Sequence, residues 1–343
     1  IIDSNGLNYQ GEDDTWTVEY STDGLSLAIT YMDATQGWIP TTDDDVTDAP
    51  TPPPQTPYGI FGFGHDGSGY IGYTNLVSNA GVVAADVTAV GTARGYVGAC
   101  EYGYDKGIFG YGYTTGSVSM TNLVSSSGVV ASDVTGVGTA RYGPGGATYG
   151  ANKGIFAFGY VGGYVSMSNL VSSAGVVATD VTGVGTARVY LGACEFGTDK
   201  DKAIFGFGEE TGGGVVGMTN LVSNAGVVAT DVTAVGTARY APAACSYGDD
   251  KGIFGFGNDG SNQSMTNLVS NTGVVATDTT GVGTIRSYLA ACEYGNDKGI
   301  FGFGNDGATK YGVTNLVSNS GVVATDVAAV GTGRNALNAC SYG

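Results

Sequence analysis

Residues 239–286 read RYAPAACSYGDDKGIFGFGNDGSNQSMTNLVSNTGVVATDTTGVGTIR, and this stretch predicts four consecutive β-strands. The four β-rich runs are a (AACSYG), b (GIFGFG), c (SMTNLVS) and d (VVATDTT), and they are separated by Gly, Asn and Asp, which favour turns. The a–b and c–d connections are about three residues long, as in tight hairpins between antiparallel strands. The stretch therefore predicts a four-stranded antiparallel unit.

This unit recurs along the chain at intervals of 47 to 49 residues, as shown by the isoleucine of run b, which stands at Ile60, Ile108, Ile155, Ile204, Ile253 and Ile300. Four-stranded units repeated in this way predict an all-β, six-bladed β-propeller preceded by a small β segment. The first copy begins at run b, near Tyr58, whereas residues 338–343 are a lone run a. We expect this C-terminal strand to pair with the first strand b, because the union removes unpaired sheet edges.

The repeat resembles the kelch repeat over residues 58–343. The shared features are an arginine before strand a, small residues in strand a, glycines with aliphatic and aromatic residues in strand b, and a closing strand d. The repeat departs from kelch where Gly-Gly is replaced by Gly-aromatic-Gly, as in Gly110-Tyr111-Gly112, and where the tryptophan of strand d is missing. Kelch-like propellers include a copper oxidase, but one histidine does not meet the ligand demand of its site, so we expect no cofactor.

The predicted domain organisation has three parts: an N-terminal β segment (1–40), an acidic Thr/Pro-rich linker (41–57) and the propeller (58–343). The β segment alternates apolar residues at Trp16, Val18 and Tyr20, which predicts a strand. Too few strands are present for this segment to be stable alone. We therefore expect it to associate with an upstream part of the chain or with copies of itself.

The N-terminal strings IIDSNG and TWTVEYSTDGLSLAITYMDATQGWIP resemble the terminal β-unit of tailed-bacteriophage fibre shafts. The repeat strings TNLVS, GVVATDVT and GTAR are similar to repeats in structural proteins of aquatic phages. Together these resemblances imply a tail-fibre end or another virion appendage. They imply a location on the virion surface or outside the cell, in contact with a host.

The charge of the chain disfavours phosphate-rich partners. The net charge is −18, of which the first 57 residues carry −11 without a Lys or Arg, so the remainder carries −7. Proteins that bind nucleic acid need basic patches, so we expect no nucleic-acid partner. No apolar run reaches about 18 residues, so we also expect no membrane insertion.

Five cysteines occupy the same place in strand a of five repeats: Cys100, Cys194, Cys245, Cys292 and Cys340. Equivalent positions in different blades are expected to lie too far apart for disulfides. We interpret these cysteines as small buried apolar residues. The alternative is a metal or redox role, which lacks a Cys-x-x-Cys or Cys/His spacing.

Six arginines each follow an aspartate by eight residues, forming the pairs Asp86 and Arg94, Asp133 and Arg141, Asp180 and Arg188, Asp231 and Arg239, Asp278 and Arg286, and Asp326 and Arg334. A charge reproduced in every repeat is best explained as a structural ion pair or a donor to the backbone. An anion-binding ring is the functional alternative. Five lysines in the a–b turns are expected to be solvated: Lys106, Lys153, Lys202, Lys251 and Lys298.

Residues suited to catalysis or metal binding are sparse. His65 is the single histidine and has no Ser or Cys partner at a recognisable spacing. Asn258-Asp259-Gly260 looks like part of a calcium loop but lacks the further spaced ligands, so no metal site is expected. Glu101, Glu195 and Glu293 recur on strand a, where an acid pair near the central channel would be conceivable. We expect no enzyme activity.

The b–c loops and the segments after each arginine differ between repeats, whereas the other turns barely differ. The topology places both variable sets on one face, rich in Tyr, Gly, Ser and Asn, which suits adaptable contacts. The candidate ligand-binding residues are His65, Asp66, Tyr70, Tyr96, Tyr113, Tyr142, Tyr160, Tyr164, Tyr190, Glu209, Asp259, Tyr288, Asp306 and Lys310. Loop variation without function is the alternative.

The sequence thus favours a non-enzymatic attachment protein that binds a host-surface glycan or protein. Tyrosines stack on sugar rings, while carboxylates and amides bond hydroxyl groups. The main alternative is a protomer of an extracellular fibril or surface layer, in which the N-terminal segment docks onto the next copy and the linker is glycosylated. A polysaccharide-cleaving enzyme that uses the carboxylates of strand a is a third hypothesis.

Overall fold

The structure is a computed structural model and describes residues 6–10, 28–41, 57–88, 90–233 and 235–343. The chain divides into two compact units, Ile1–Gln55 and Thr56–Gly343. Secondary structure in the described residues is almost entirely β-strand, with a single short 3-10 turn at Thr198–Lys200. The all-β fold class predicted from the sequence is therefore confirmed.

The described part of the first unit contains a small antiparallel hairpin. Its strands are Ile29–Tyr31 and Trp38–Pro40, with Tyr31 opposite Trp38 and the two rings in edge contact at 5.5 Å. Asp33 shapes the turn by accepting hydrogen bonds from two backbone N–H groups, a common role of Asp in turns. The predicted strand at Trp16 and nearly all of the 41–57 linker lie outside the described residues.

The second unit contains seven antiparallel sheets of three strands. Six of them have the order a–b–c, and the seventh is a small sheet of Arg188–Val189, Glu209–Glu210 and Gly214–Val215. We number the repeats 1 to 6 by the order of their b strands. The a strands of repeats 2 to 6 and then 1 are Gly98–Tyr102, Gly145–Tyr149, Gly192–Phe196, Ala243–Tyr247, Ala290–Tyr294 and Asn338–Tyr342. The b strands are Tyr58–Gly62, Lys106–Gly110, Lys153–Tyr160, Lys202–Gly206, Lys251–Asn258 and Lys298–Gly302. The c strands are Thr74–Val77, Thr121–Val124, Tyr164–Val171, Thr219–Val222, Asn262–Val269 and Thr314–Val317.

The C-terminal strand completes the first sheet. Asn338–Tyr342 pairs antiparallel with Tyr58–Gly62, placing Cys340 opposite Ile60, and Thr74–Val77 forms the other side of the sheet. This register matches the register of the other five sheets, in which strands a and b are continuous in sequence. The predicted pairing of the C-terminal strand with the first strand b is confirmed.

Neighbouring sheets pack in cyclic order. The a strand of each repeat contacts the a strand of the next, and the strand of repeat 6 contacts Asn338–Tyr342 of repeat 1. Six clusters of buried apolar side chains each draw on two adjacent repeats, including repeats 6 and 1. The core therefore lies between sheets, where Ile and Phe of strand b are fully buried. All five cysteines are buried and unpaired, which confirms their predicted role as small apolar residues.

Run d does not form the fourth strand that was predicted. It pairs with strand c only through isolated bridges, such as Val83 with Val77 and Val87 with Thr74. Between these bridges the buried Asn75 side chain donates to the Ala84 carbonyl oxygen (3.0 Å) and to a carboxylate of the same segment (2.9 Å). Because a side chain takes the place of backbone ladder bonds, run d stays irregular. An equivalent asparagine does so in every repeat.

The arginines bind neighbouring repeats together. Arg94 is fully buried and donates to the Tyr111 carbonyl oxygen (2.9 Å) and to Asn122 Oδ1 (2.6 Å). Its guanidinium lies 4.2 Å from the centre of the Phe63 ring of the preceding sheet, a cation–π geometry. The ion pair of Arg94 is with Asp133 at 3.6 Å. The aspartate eight residues before the arginine is therefore not its partner. The arginine before strand a pairs with the aspartate in run d of the same repeat, and its ring contact reaches the preceding repeat.

The same ion pair recurs around the unit and includes its two ends: Arg94 with Asp133, Arg141 with Asp180, Arg188 with Asp231, Arg239 with Asp278, Arg286 with Asp326, and Arg334 with Asp86. Burial opposes ionisation of these aspartates, but hydrogen bonds from threonine and asparagine outweigh burial and lower the pKa of each carboxyl.

The arginines also explain the Gly-aromatic-Gly motif. Its aromatic residue has a φ of about 65° in every repeat, as at Phe63 and Phe207, and in five repeats its carbonyl accepts from an arginine.

Candidate functional site

The segments that follow the arginines are joined by a closed ring of backbone hydrogen bonds. The Tyr96 N–H donates to the Ala336 carbonyl (2.7 Å), and the Tyr96 carbonyl accepts from the Gly143 N–H (2.8 Å). The ring continues from repeat to repeat through the N–H groups of Tyr190, Ala241, Tyr288 and Ala336. All six members have positive φ, between 52° and 63°. This ring brings the variable segments after the six arginines to one place.

All eight predicted tyrosines of the variable face, together with His65, form one continuous aromatic cluster. Successive ring centres lie 5.1 to 6.1 Å apart, mostly in tilted or edge-to-face arrangements. Tyr142 is the hub, since its ring contacts those of Tyr96, Tyr113, Tyr160 and Tyr190. We call this cluster the tyrosine face. Every one of its rings is half-buried, so each is packed on one side and accessible on another.

Several tyrosines of the tyrosine face have a raised pKa. Burial raises the pKa of Tyr96, Tyr190 and Tyr288 above the ordinary value. Tyr164 donates to Glu209 Oε1 at 2.5 Å, and this hydrogen bond, with burial, raises the pKa of Tyr164 to about 12. The face therefore offers neutral phenol groups and π surfaces, and Glu209 joins it through Tyr164.

The predicted loop carboxylates Asp66, Asp259 and Asp306 do not form one cluster but shape their own b–c loops. Asp66 accepts from the backbone N–H groups of the two-residue turn that follows it (2.7 and 3.0 Å). Asp259 accepts from the side chain of Gln263 (2.9 Å), and Asp306 accepts from the Tyr311 hydroxyl (2.7 Å). Lys310 lies beside the loop containing Gly67. These four candidates stand on three b–c loops, with Asp306 and Lys310 on the same one, rather than in one constellation.

A polar cleft adjoins the tyrosine face between the b–c loops of repeats 5 and 6. Its volume is about 760 Å³, and its lining includes Asn258, Asn262, Thr284, Asp306 and Tyr311. Amides, hydroxyls and a carboxylate of this kind suit a ligand rich in hydroxyl groups. The backbone of Asn258 in the cleft pairs with that of Tyr240, whose ring contacts Tyr190 and Tyr288 of the tyrosine face.

Two contributors were missed from the sequence. Tyr240 contacts the rings of Tyr190 and Tyr288 at 6.5 and 5.8 Å, and Tyr311 lines the polar cleft. The signal for Tyr240 was available, because it follows its arginine directly, as Tyr142 does. No comparable signal marks Tyr311.

The charges near the tyrosine face are mostly negative. Asp66, Glu209, Asp259 and Asp306 lie on its loops, whereas Lys310 is the one lysine there among the described residues. The arginines offer no positive charge to a ligand because all six side chains are fully buried. An anionic ligand would therefore meet net repulsion.

The a–b turns lie at the opposite ends of the a strands. Lys106, Lys202, Lys251 and Lys298 each pair with the preceding aspartate and stay more than two-fifths exposed, as expected for solvated turns. A second ring of hydrogen bonds joins these turns from repeat to repeat, closing from Gly343 to Asp105 at 2.9 Å.

The three strand-a glutamates converge in the interior, at the end of the a strands nearer these turns. Glu101, Glu195 and Glu293 line one cavity of about 30 Å³ together with hydroxyl side chains. Burial raises the pKa of Glu293 to about 8, and the nearby Lys200 opposes this shift. Burial also raises the pKa of Glu101 to about 7, and Glu195 adds to this shift. From the sequence an acid pair near the central channel was conceivable, but nothing in it fixed the separation of the carboxylates, and Lys200 was missed.

No protein-family model matches this sequence, and a comparison with curated proteins finds no significant match. Within the described ranges, no helix has the length and apolar character needed to cross a bilayer. The same ranges contain no group of three or more His, Cys, Asp or Glu side chains arranged to hold a metal ion.

Proposed function

We propose that the protein is a non-enzymatic attachment protein whose residues 58–343 form a six-bladed β-propeller that binds an uncharged glycan on the tyrosine face. The propeller is supported by the cyclic packing of six sheets and by the two hydrogen-bonded rings that run through all six repeats. In this arrangement the three-stranded sheets are the blades, and run d covers their outer edges.

The observation that carries the binding proposal is the continuous cluster of half-buried tyrosines. A ring held by its neighbours loses little conformational entropy on binding, so each exposed tyrosine edge is a preorganised apolar contact with a hydroxyl at its rim. Sugars present apolar C–H surfaces beside hydroxyl groups and match this combination. The adjoining polar cleft supplies amide and carboxylate partners for further hydroxyls.

Charge restricts the class of glycan. The acidic loops and the burial of every arginine disfavour sialylated, sulfated or uronic-acid chains. The proposed ligand is therefore an uncharged oligosaccharide on a host surface. The fibre-shaft resemblance of the N-terminal segment supports a place at the end of a virion appendage.

Cleavage of a polysaccharide by the strand-a carboxylates receives no support from the geometry. The cavity that holds Glu101, Glu195 and Glu293 has a volume of about 30 Å³, which is room for water and too small for a sugar ring. Substrate access to these carboxylates would require the blades to separate.

The binding proposal is tested on an array of uncharged and anionic glycans with the full chain. Replacing Tyr70, Tyr113, Tyr160 and Tyr164 with alanine should abolish binding to uncharged glycans while leaving the circular dichroism spectrum unchanged. The matched control replaces the five turn lysines, which lie away from the tyrosine face, and should bind as the wild type does. Loss of binding in the lysine variant alone, or preference for anionic glycans, would contradict the proposal. Attachment to host cells without any glycan binding would point instead to a protein receptor.

A further inference from the structure

One position of strand a alternates between two chemistries around the six repeats. Seven residues after each arginine, repeats 2, 4 and 6 have Glu101, Glu195 and Glu293. Repeats 3, 5 and 1 have a hydroxyl at this position, namely Thr148, Ser246 and Ser341. Since successive repeats are neighbours, the six side chains form a ring in which each glutamate stands between two hydroxyls. We call it the carboxylate ring.

The carboxylate ring is buried and internally connected. The Ser246 hydroxyl lies 2.7 Å from Glu195 Oε1 and 2.9 Å from Glu293 Oε2, so it bridges two carboxylates. The Glu101 backbone N–H donates to the Thr148 hydroxyl oxygen (3.2 Å). The Glu293 side chain is 1% exposed and lines the shared cavity. Its Oε1 atom has no hydrogen-bond partner among the described residues.

Repeat 4 departs from the others in the turn next to this ring. Its a–b turn has two more residues than the a–b turns of repeats 2, 3, 5 and 6. The additional length forms the 3-10 turn Thr198–Lys200, in which Lys200 has a φ of 53°. The Lys200 ammonium group binds Glu293 Oε2 on the a strand two repeats away. The charges of Glu293, Glu101 and Glu195 all raise the pKa of Lys200 against the opposing effect of burial.

A primary ammonium matches the chemistry of this ring. It has three N–H donors, of which Lys200 gives one to Glu293, while Glu101 and Glu195 act on the ammonium through their charge. Burial raises the pKa of Glu293 to about 8 and of Glu101 to about 7, so a bound cation stabilises the charged forms of these carboxyls. A metal ion fits less well, since no metal-binding group of three or more such side chains occurs in the part of the chain that the structure describes.

We infer that the carboxylate ring is a binding site for a primary alkylammonium group, and that Lys200 occupies the site from within the chain. The longer a–b turn of repeat 4 places the Lys200 ammonium group in the site. The ring selects an ammonium by its charge and by its N–H donors. Removal of the lysine side chain leaves a site that takes a small free amine. This inference is independent of glycan binding, which concerns the other end of the a strands.

The test is chemical rescue of the Lys200→Ala variant of the full chain by ethylammonium chloride. The quantity measured is the melting temperature in thermal unfolding. We expect the variant to melt a few degrees below the wild type, and ethylammonium to restore the loss in a saturable manner. An affinity of about millimolar is the upper limit for a ligand this small. The wild type should show no such response, because Lys200 already fills the site. Tetramethylammonium, which has no N–H donor, should not rescue the variant at equal ionic strength.

Two further variants are controls. Lys202→Ala removes a lysine that pairs only with its neighbour Asp201, so its melting temperature should not respond to ethylammonium. Adding Glu293→Gln to Lys200→Ala should remove the response. If Lys200→Ala does not fold, its refolding yield with ethylammonium is compared with the yield in tetramethylammonium. Equal effects of ethylammonium and tetramethylammonium in either assay would overturn the inference.

Discussion

A close contact between repeats allows a quantitative test of the packing. A Cβ atom added at Gly252 of strand b would lie 2.6 Å from the Sγ atom of Cys194 on the preceding repeat, while its next neighbours would be at ordinary distances of 3.4 Å or more. The same glycine-to-cysteine approach occurs at four other interfaces. Interfaces of this kind leave room for a sulfur atom or a methyl group, but not for both.

The chain contains its own precedent for the alternative packing. Between repeats 3 and 4 the glycine is replaced by Ala203 and the cysteine by Ala147, and both alanines are buried in the same apolar cluster. This interface shows that two methyl groups fit where a hydrogen atom and a thiol fit elsewhere. We therefore predict that Gly252→Ala is destabilising alone and tolerated together with Cys194→Ala.

The magnitudes follow from the size of the groups. Overpacking by one methyl group costs about 1–3 kcal/mol, and the clash of Gly252→Ala with the sulfur atom should place it in this range. Cys194→Ala removes one buried sulfur and should cost about 1 kcal/mol through the cavity it leaves. In the double variant the new methyl group fills part of that cavity. The pair should therefore unfold within about 1 kcal/mol of the wild type, a coupling of about 1–3 kcal/mol.

The assay is urea unfolding followed by circular dichroism, with the midpoints of the four proteins compared. Gly116→Ala is the control for the substitution itself, because a Cβ atom there would meet nothing within 4 Å, and its midpoint should equal that of the wild type. If the losses in the two single variants simply add in the double variant, the two side chains do not compete for one space and the reasoning is refuted.

Three further predictions address closure, the buried arginines and pH. Deleting 335–343 exposes the edge of the first sheet and should lower stability by several kcal/mol, so unchanged melting would refute the closed arrangement. Arg94→Met should cost at least about 3 kcal/mol in urea unfolding because Asp133 and Asn122 lose their buried partner, and a neutral effect would contradict that role. Burial raises the pKa of Glu293 to about 8 from 4.5, so the folded state binds a proton more tightly than the unfolded state. The free energy of unfolding should therefore fall between pH 5 and 8 by up to about 1.4 kcal/mol per pH unit for that proton, and Glu293→Gln should flatten this slope.

The sequence was enough to predict the repeat, strands a to c, and the pairing of the C-terminal strand with the first strand b. Strands a, b and c follow from local patterns of small, apolar and turn residues that every copy restates, as around Ile253 and Phe254. The pairing of Asn338–Tyr342 followed because a lone run a and a lone run b complete one sheet. The burial of the cysteines also followed, since one position that is repeated five times is structural rather than reactive.

Only the tertiary structure decided which residues of different repeats meet. The spacing of eight between aspartate and arginine predicted the wrong partners, because the segment that links run d of repeat 1 to strand a of repeat 2 packs on run d of repeat 2, where Arg94 meets Asp133. Run d failed to form a strand because a buried asparagine side chain, which strand propensity does not register, takes the place of its ladder bonds. Lys200 meets Glu293 across two repeats, and such a contact depends on how the sheets pack against one another and not on any pattern within one repeat.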